Sequence, residues 1–337
     1  MTNITTSGKW KLENMRAVLC REWGEPDSLN IEQVDSPTSG PNQVKIRVRA
    51  AALNFADILM VGGSYQEKPA FPFSPGMEVA GEIMETGDAV TGYEIGDRVM
   101  AVLNYGGFAE EAIANVVDLM KIPENLDFDT AAAFPIAYGT GHMGLVGKAK
   151  LKRGESLIVH GASGGVGLAA VDVGKAVGAN VVAVTSGEEK IAAVIKQGAD
   201  HVIDYKDGDV KDQIKALLPG GGEVYYDPVG GDSFEASLRS AAPGARILVV
   251  GFAGGTVPQI PANILMVKNV TAIGFYWGAH RKFAPEAVEA SFNQLHDWIA
   301  EERLSLCDVM AFDIEDVVEA MNTMKSRRSV GKIVLRM

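Results

Sequence analysis

The amino-acid sequence predicts an α/β fold in which a doubly wound parallel sheet is inserted into a β-rich domain. Between residues 156 and 275, short β-branched segments alternate with helix-like segments at a spacing of roughly 20 to 25 residues, which is typical of βα units. Before this region, short alternating strands and turn glycines dominate, which is typical of a partly closed β-barrel. Two amphipathic helices and a final strand follow it.

The six apolar segments predict a parallel six-stranded sheet with helices on both faces. These predicted strands cover residues 156–160, 180–185, 201–205, 223–227, 246–250 and 270–275. In the N-terminal region the predicted strands cover residues 15–20, 43–50, 79–86 and 98–103. Residues 1–14 precede the first strand signal and are expected to form a loose extension.

The end of the chain predicts a discontinuous domain. Helices are predicted over residues 285–302 and 315–325, and a strand over Lys332–Arg336. A single terminal strand needs a sheet to join, and the N-terminal region offers one. We therefore expect a catalytic domain formed by residues 1–137 and 276–337, with a nucleotide-binding domain formed by residues 138–275 inserted into it.

Composition and charge exclude several classes of function. The chain has 337 residues, 47% of them hydrophobic, which is enough for two domains with cores of their own. A net charge of −12 argues against nucleic-acid and anionic membrane partners, because these bind proteins that have an excess of basic residues. The N-terminus lacks the apolar segment of a signal peptide, and the two cysteines lie far apart, so we expect a cytoplasmic protein.

The segment from Ser156 to Ala170 carries the strongest functional signal, because an apolar strand ends in glycines that open into a helix. Gly161 allows a tight turn, Gly164 lets the backbone approach a pyrophosphate, and Gly167 lets the helix pack closely on the strand. Free N–H groups at the start of the helix then hold the anion. The segment therefore predicts a dinucleotide-binding site.

The residues after the second predicted strand favour NADPH over NADH as the cofactor. NADH sites place a carboxylate there for the ribose 2′-hydroxyl, whereas this chain has Ser186, which can donate a hydrogen bond, and Lys190, which can supply a cation. Tyr205, after the third strand, can contact the same end of the cofactor. An alternative remains open, in which Lys190 is a solvated lysine that pairs with Glu188 or Glu189.

The sequence predicts chemistry without a metal. Catalytic zinc requires Cys, His and Glu ligands within reach of one another, and structural zinc requires four clustered sulfurs. Two cysteines cannot supply the structural site, and none of the five histidines is spaced with another like a ligand pair.

Six motifs occur in one order along the chain. They are Ala52-Leu-Asn54-Phe-Ala-Asp57, Gly63-Ser-Tyr65, Phe73-Ser-Pro-Gly76-Met-Glu-Val-Ala-Gly81, Gly96-Asp97-Arg98-Val99, Gly161-Ala-Ser-Gly-Gly-Val-Gly167 and Gly331-Lys-Ile-Val-Leu335. Together they resemble the zinc-free quinone oxidoreductases, related to zeta-crystallin, of the medium-chain dehydrogenase/reductase superfamily. The resemblance implies a Rossmann sheet inserted into a GroES-like catalytic domain. Zinc-dependent members have a histidine at the position of Met77, so this departure agrees with a metal-free site.

The resemblance also implies roles for individual residues. Asn54 and Asp57 match the active-site Asn-x-x-Asp, and Tyr65 matches the tyrosine beside the nicotinamide. The implied cofactor-binding residues are Thr140, Ser163, Gly164, Gly165, Val166, Ser186, Lys190, Tyr205, Gly251, Phe252, Ala253, Gly254, Gly274, Phe275, Tyr276 and Arg327. Some have simpler alternatives: Asn54 and Asp57 can cap a helix, and Tyr65 can be a packed aromatic.

The expected function is metal-free hydride transfer from NADPH to a quinone. An alternative is the reduction of the C=C bond of a 2-enoyl thioester or an alkenal, since the same framework serves those acceptors. A non-catalytic NADPH-binding or sensor protein is an alternative of another class. The resemblance further implies a homodimer that pairs through the strand at residues 270–275, because exposed strand edges need covering.

Overall fold

The computed structural model describes residues 14–337 in full, together with the backbone of two short paired strands, β1 (Asn3–Ile4) and β2 (Trp10–Lys11). Most of the expected N-terminal extension therefore lies outside the described residues. The chain divides into two compact units, one formed by Met1–Pro135 with Val309–Met337 and the other by Ile136–Asp308.

The N-terminal part of the first unit consists mainly of antiparallel strands. Its elements are β3 (Asn14–Leu19), β4 (Asn30–Asp35), β5 (Gln43–Leu53), α1 (Phe55–Val61), β6 (Glu78–Thr86), β7 (Arg98–Val102), β8 (Glu111–Asn115), β9 (Leu119–Lys121) and α2 (Phe128–Ala133). The long strand β5 pairs with both β6 and β8. Strand β6 approaches β5 closely at Gly81, where a Cβ atom would lie 2.0 Å from the carbonyl oxygen of Arg47. Only glycine fits there.

The second unit alternates strands and helices. Its elements are α3 (Pro135–His142), a π-helical turn (Met143–Lys148), β10 (Ser156–His160), α4 (Gly165–Val177), β11 (Asn180–Thr185), α5 (Glu188–Lys196), β12 (His201–Asp204), α6 (Val210–Leu217), β13 (Gly222–Asp227), α7 (Asp232–Ser240), β14 (Ala241–Val249), α8 (Ala262–Lys268), β15 (Thr271–Gly274), α9 (Trp277–Phe283) and α10 (Pro285–Ala300).

The six strands of this unit form one parallel sheet in the order β12-β11-β10-β13-β14-β15. This is the strand order of a doubly wound Rossmann sheet, and it confirms the predicted fold class. Strand β14 begins at Ala241, earlier than predicted, because Ala241 already pairs with Gly222 before an irregularity in register. The pair Pro243-Gly244 is typical of a turn, so the sequence did not predict a strand that begins at Ala241.

The chain then returns to the first unit through β16 (Val309–Asp313), α11 (Val317–Lys325) and β17 (Lys332–Arg336). Strand β17 pairs antiparallel with β5, so the prediction that the last strand joins the N-terminal sheet is confirmed. Strand β16 was not predicted. It pairs only with β17 at the edge of the sheet, and its short sequence carries no period-two pattern of apolar residues.

Residues 276–308 belong to the compact unit that contains the parallel sheet, whereas the sequence prediction placed them in the catalytic domain. The indole of Trp277 lies against Gly139 of α3, where a Cβ atom would meet it at 2.8 Å. His142 of α3 forms hydrogen bonds with Ser291 (2.7 Å) and Gln294 (2.9 Å) of α10. These contacts join segments that are far apart in the sequence. Sequence periodicity does not predict such contacts.

A buried carboxylate holds the end of this segment in place. Asp172 of α4 accepts the backbone N–H groups of Ser305 and Leu306, each at 3.0 Å, and the hydroxyl of Tyr138 at 2.7 Å. Burial raises the pKa of Asp172, and these donors oppose that shift. The functional domain boundaries at 137 and 276 stay a prediction. Within the described residues, no helix is both long and apolar enough to cross a membrane.

Candidate functional site

The first candidate cluster lies where β5 ends and α1 begins. Asn54 is the N-cap of α1, and the carboxylate of Asp57 accepts its backbone N–H at 2.8 Å. The other oxygen of that carboxylate accepts the backbone N–H of Gly76 at 3.1 Å. Helix capping is therefore present at this motif, and Asp57 also fixes the loop that precedes β6.

Two charged residues hold the side chain of Asn54. Its Nδ2 atom donates to Glu78 Oε1 at 3.0 Å, and its Oδ1 atom accepts from the ammonium of Lys332. Lys332 and Glu78 form an ion pair of 2.6 Å, and Lys332 also donates to the carbonyl oxygen of Leu53 at 3.1 Å. Both charged residues are buried, at 4% and 0% exposure. The orientation of the Asn54 amide is thereby fixed.

Sequence reasoning assigned no role to Glu78 and Lys332. Each begins a mostly apolar strand, β6 or β17, and a buried charge is stable only when it is paired. A charged residue at the start of a mostly apolar strand was therefore the sequence signal for a buried ion pair. Their partnership was not readable from the sequence, because it depends on both strands pairing with β5.

Asp57 is an unusual carboxyl group. It is completely buried, and burial raises its pKa from 3.8 to about 7, although the N–H groups of Asn54 and Gly76 and the charge of Lys332 oppose the shift. The group therefore changes protonation near neutral pH, in direct contact with the Asn54 backbone.

Tyr65 lies beyond the other end of α1 from Asn54, and α1 spans about 10 Å at 1.5 Å per residue. Its backbone N–H donates to the carbonyl oxygen of Leu59 at 3.1 Å, which folds the chain back towards the helix. The side chain is 9% exposed. The structure thus places all three predicted catalytic residues on or beside α1, with Tyr65 separated from the other two.

The second candidate site is the glycine turn between β10 and α4. The structural requirement for glycine differs from one position of this turn to the next. Gly161 has a φ of 57°, which favours glycine. A Cβ atom on Gly167 would lie 2.3 Å from the carbonyl oxygen of Gly161, so helix and turn meet without a side chain between them. Gly164, the N-cap of α4, has a φ of −80°, and a Cβ atom there would meet nothing closer than 3.5 Å. The fold itself does not require glycine at 164.

The first turn of α4 offers a cradle of backbone donors that could hold an anion. The leading N–H groups of a helix have no partner within the helix, and here they belong to Gly165, Val166 and Gly167. Ser163 precedes them, and its hydroxyl accepts from the Thr185 hydroxyl of β11 at 2.9 Å. The cradle is thereby attached to the neighbouring strand. Its backbone donors, and the open space beside Gly164, fit a pyrophosphate.

Other predicted cofactor residues follow the carboxyl ends of neighbouring strands in the same sheet. Because the strands are parallel, these ends lie along one edge. Ser186 follows β11, Tyr205 follows β12, the residues Gly251, Phe252, Ala253 and Gly254 follow β14, and Gly274, Phe275 and Tyr276 end and follow β15. Lys190 lies in the first turn of α5. The structure therefore brings this group of residues to the edge that carries the glycine turn.

One acidic residue at that edge was not predicted. Asp204, the last residue of β12, lies beside Thr185 in register and beside the hydroxyl of Ser186. The backbone N–H of Lys206 donates to its carboxylate at 2.8 Å, and this hydrogen bond and the Ser186 hydroxyl lower the pKa of Asp204. A negative charge therefore adjoins the residues expected to hold a 2′-phosphate.

The remaining two predicted residues lie apart from the strand ends. Thr140 is buried in α3. The glycine before it, Gly139, contacts Trp277. The glycine after it, Gly141, faces the backbone of Ala169 in α4. Thr140 is thus positioned between α4 and the segment after β15. Arg327 lies in the first unit, after α11, with a φ of 57°. Its contact with a cofactor phosphate stays a prediction.

Among residues 14–337, no three or more His, Cys, Asp or Glu side chains are grouped so that they could hold a metal ion. The metal-free chemistry itself stays a prediction, which depends on the residue types described above.

The comparisons with known proteins agree with this organisation. Residues 40–124 match the family described as alcohol dehydrogenase GroES-like domain, and residues 165–299 match the family described as zinc-binding dehydrogenase. Quinone oxidoreductase-like protein 2 homolog from Nematostella vectensis is 41% identical, over 98% of this chain and 92% of its own length. The chain belongs to the zeta-crystallin-like quinone oxidoreductases of the medium-chain dehydrogenase/reductase superfamily. The resemblance of the six motifs is confirmed.

Solved structures of this superfamily include two kinds of enzyme. Quinone oxidoreductase from Escherichia coli, solved with NADPH, superposes with a TM-score of 0.88 at 25% identity, covering 96% of this chain and 100% of its own. The CurK enoyl reductase superposes with a TM-score of 0.85 at 25% identity, covering 96% of this chain and 99% of its own.

We expect Lys332→Met to lower the free energy of unfolding by about 3–5 kcal/mol, because it leaves the buried charge of Glu78 uncompensated by Lys332. Adding Glu78→Gln should restore part of this loss. Urea unfolding of the two single variants and the double variant measures the coupling. Lys121→Met, which removes an exposed lysine paired with Asp97, is the control and should cost less than about 1 kcal/mol. Equal costs for Lys332→Met and Lys121→Met would contradict the buried pair.

The raised pKa of Asp57 predicts a pH-dependent difference in stability. A carboxyl with a higher pKa in the folded state stabilises the fold while it is protonated, and this contribution is lost as the pH rises through about 7. Asp57→Asn lacks this titration. Its stability relative to the unsubstituted protein should therefore improve by about 1.4 kcal/mol between pH 6 and pH 8. Urea unfolding at both pH values measures it, and a constant difference would refute the shift.

Proposed function

We propose that this chain is a metal-free, NADPH-dependent reductase that transfers hydride to a quinone. Membership of the medium-chain dehydrogenase/reductase superfamily makes it an oxidoreductase. The observation that carries the cofactor proposal is the glycine turn, in which Gly161 and Gly167 are required by the fold and Gly164 leaves the cradle open. The relatives named as quinone oxidoreductases support the choice of acceptor.

The residues at the carboxyl edge of the sheet would hold the cofactor in three places. The first turn of α4 binds the pyrophosphate through backbone N–H groups. Ser186, Lys190 and Tyr205 bind the adenosine phosphate, and the loops after β14 and β15 bind the nicotinamide ribose and carboxamide. When bound, NADPH supplies the hydride.

Without a metal, negative charge that develops on the acceptor oxygen requires a hydrogen-bond donor from the protein. The amide of Asn54 already donates to Glu78 and to the carbonyl oxygen of Ala52, and its orientation is fixed by Lys332. We therefore propose Tyr65 as the donor to the acceptor, with Asn54 and Asp57 as positioning residues.

A second candidate function is the reduction of a C=C bond in a 2-enoyl thioester or an alkenal. The superposition on the CurK enoyl reductase favours it, since the same fold there carries that name. A non-catalytic NADPH-binding or sensor protein remains the candidate of another class, and the acceptor measurements below separate all three.

We also propose a cytoplasmic homodimer. Strand β15 lies at the edge of the six-stranded sheet, and apolar side chains are exposed near it at Val257, Ile260, Met266 and Val267. An open edge with apolar neighbours is the kind of surface that a second copy covers.

The acceptor is tested by NADPH oxidation with 1,4-benzoquinone, 9,10-phenanthrenequinone, crotonyl-CoA and a 2-alkenal in parallel. We expect turnover of the quinones. Turnover of crotonyl-CoA or the alkenal alone would overturn the quinone proposal in favour of C=C reduction. Tight NADPH binding without any turnover would favour the non-catalytic protein.

Tyr65→Phe should lower kcat for the accepted substrate about 10²- to 10³-fold, because it removes one hydrogen-bond donor and leaves the hydride donor in place. NADPH affinity, measured by fluorescence titration, should stay unchanged. Unchanged kcat would show that Tyr65 is only a packed aromatic.

Two glycine substitutions separate folding from cofactor binding. Gly164→Ala fits the observed backbone, so its thermal stability should be unchanged or slightly raised, whereas its NADPH affinity should fall on the order of tenfold. Gly167→Ala should destabilise the fold by more than about 1 kcal/mol, because its methyl group would overlap the carbonyl of Gly161. Unchanged NADPH affinity in Gly164→Ala would place the cofactor elsewhere.

A further inference from the structure

A basic cavity that is open to solvent lies in the unit that contains the parallel sheet. It has a volume of about 260 Å³ and is lined by Lys211, Lys215, Arg239, Ile264 and Lys268. Four of these five residues are cations, and no carboxylate lines the cavity. In a chain with a net charge of −12, such a local excess of positive charge requires an explanation.

Only two of the four cations have carboxylate partners. Arg239 pairs with Glu235 at 2.9 Å, and Lys211 lies 3.3 Å from Asp212 and 3.8 Å from Asp209. Among residues 14–337, neither Lys215 nor Lys268 forms an ion pair with a carboxylate, so positive charge at the cavity is left uncompensated.

Lys268 is held in position by the end of a neighbouring helix. Its ammonium donates to the carbonyl oxygens of Leu238 (2.9 Å), Arg239 (3.0 Å) and Ala241 (3.3 Å). Burial lowers the pKa of Lys268, and the nearby charges of Lys215 and Arg239 lower it further. The cations therefore repel one another across a space that a bound anion would fill favourably.

The cavity is separate from the dinucleotide site. Lys215, Arg239 and Lys268 occupy the last turns of α6, α7 and α8. In βα units the helices run antiparallel to the strands, so these last turns lie towards the amino ends of the strands. The glycine turn lies at their carboxyl ends.

We propose that this cavity binds a compact polyanion that carries two linked phosphate groups. Its volume of about 260 Å³ leaves room for a diphosphate. Lys215, which has no carboxylate partner within the described residues, supplies the hydrogen-bond donor, and Ile264 provides an apolar wall. Lys268, whose three N–H groups donate to backbone carbonyl oxygens, adds positive potential without a free donor. The negative charge of the whole protein repels an extended polyanion such as nucleic acid, whereas a small ligand experiences mainly the local field.

A simpler alternative is that each cation only stabilises the negative end of its own helix. Lys268 fits this alternative in a modified form, because it stabilises the end of α7 although it belongs to α8. The two explanations differ in their consequences. A helix-capping cation affects stability alone, whereas a binding cation affects the affinity for an added anion.

The test is isothermal titration calorimetry with inorganic pyrophosphate and, separately, with ADP, each with and without saturating NADPH at constant ionic strength. We expect saturable binding that persists with NADPH present. Lys215→Gln should weaken it about tenfold or more, because a charge-assisted hydrogen bond is lost. Tighter binding of ADP than of pyrophosphate would identify a nucleotide ligand, and the reverse order would identify a free diphosphate.

The matched control is Lys196→Gln, which removes a cation from the last turn of α5 in the same unit but outside the cavity. Its affinity for pyrophosphate should be unchanged. The proposal is overturned if pyrophosphate does not bind saturably, if Lys215→Gln binds as tightly as Lys196→Gln, or if NADPH abolishes the binding. The last outcome would assign the anion to the glycine turn. Because the cavity and the turn are assayed separately, failure of one leaves the other standing.

Discussion

The buried ion pair between Lys332 and Glu78 connects the two ends of the chain within the first unit. Lys332 begins the last strand, and Glu78 begins a strand of the N-terminal sheet, so the pair depends on both β17 and β6 pairing with β5. A buried charge without its partner is strongly destabilising, and correct assembly of the discontinuous unit is therefore favoured over alternatives that leave either charge alone. The same ion pair fixes the orientation of the Asn54 amide. The geometry of the candidate site therefore depends on β17 pairing with β5.

The two units position their functional groups by opposite means. In the first unit, charged and polar side chains are buried and satisfied by one another, so geometry depends on hydrogen bonds. In the second unit, the absence of side chains at Gly161 and Gly167 lets a helix start against a strand, and the donors are backbone N–H groups. A network of side chains can be retuned by protonation, as at Asp57, whereas a backbone cradle has no group that titrates near neutral pH.

Features that depend on local patterns were predictable from the sequence. Strands β10 and β11 have the predicted bounds, since their apolar runs end in glycine or polar turns. Features that depend on distant partners were not predictable, including edge strand β16, the packing of α10 on His142, and the pairing of Lys332 with Glu78. At the Asn-x-x-Asp motif the capping alternative was predictable from the sequence, whereas the second contact of the carboxylate was not. Asp57 caps α1 and, through the same carboxylate, holds Gly76.

Cofactor discrimination depends on the corner formed by β11 and β12 more than on the glycine turn. Backbone N–H groups bind the pyrophosphate that NADH and NADPH share, so the cradle cannot distinguish the two. Ser186 and Lys190 favour the 2′-phosphate, but Asp204 carries a negative charge beside Ser186, and the hydrogen bond from Lys206 keeps that charge in place. Repulsion between this carboxylate and a 2′-phosphate offsets part of the attraction from Lys190. In the proposed binding mode, Asp204 therefore makes the preference for NADPH smaller than Ser186 and Lys190 alone would give.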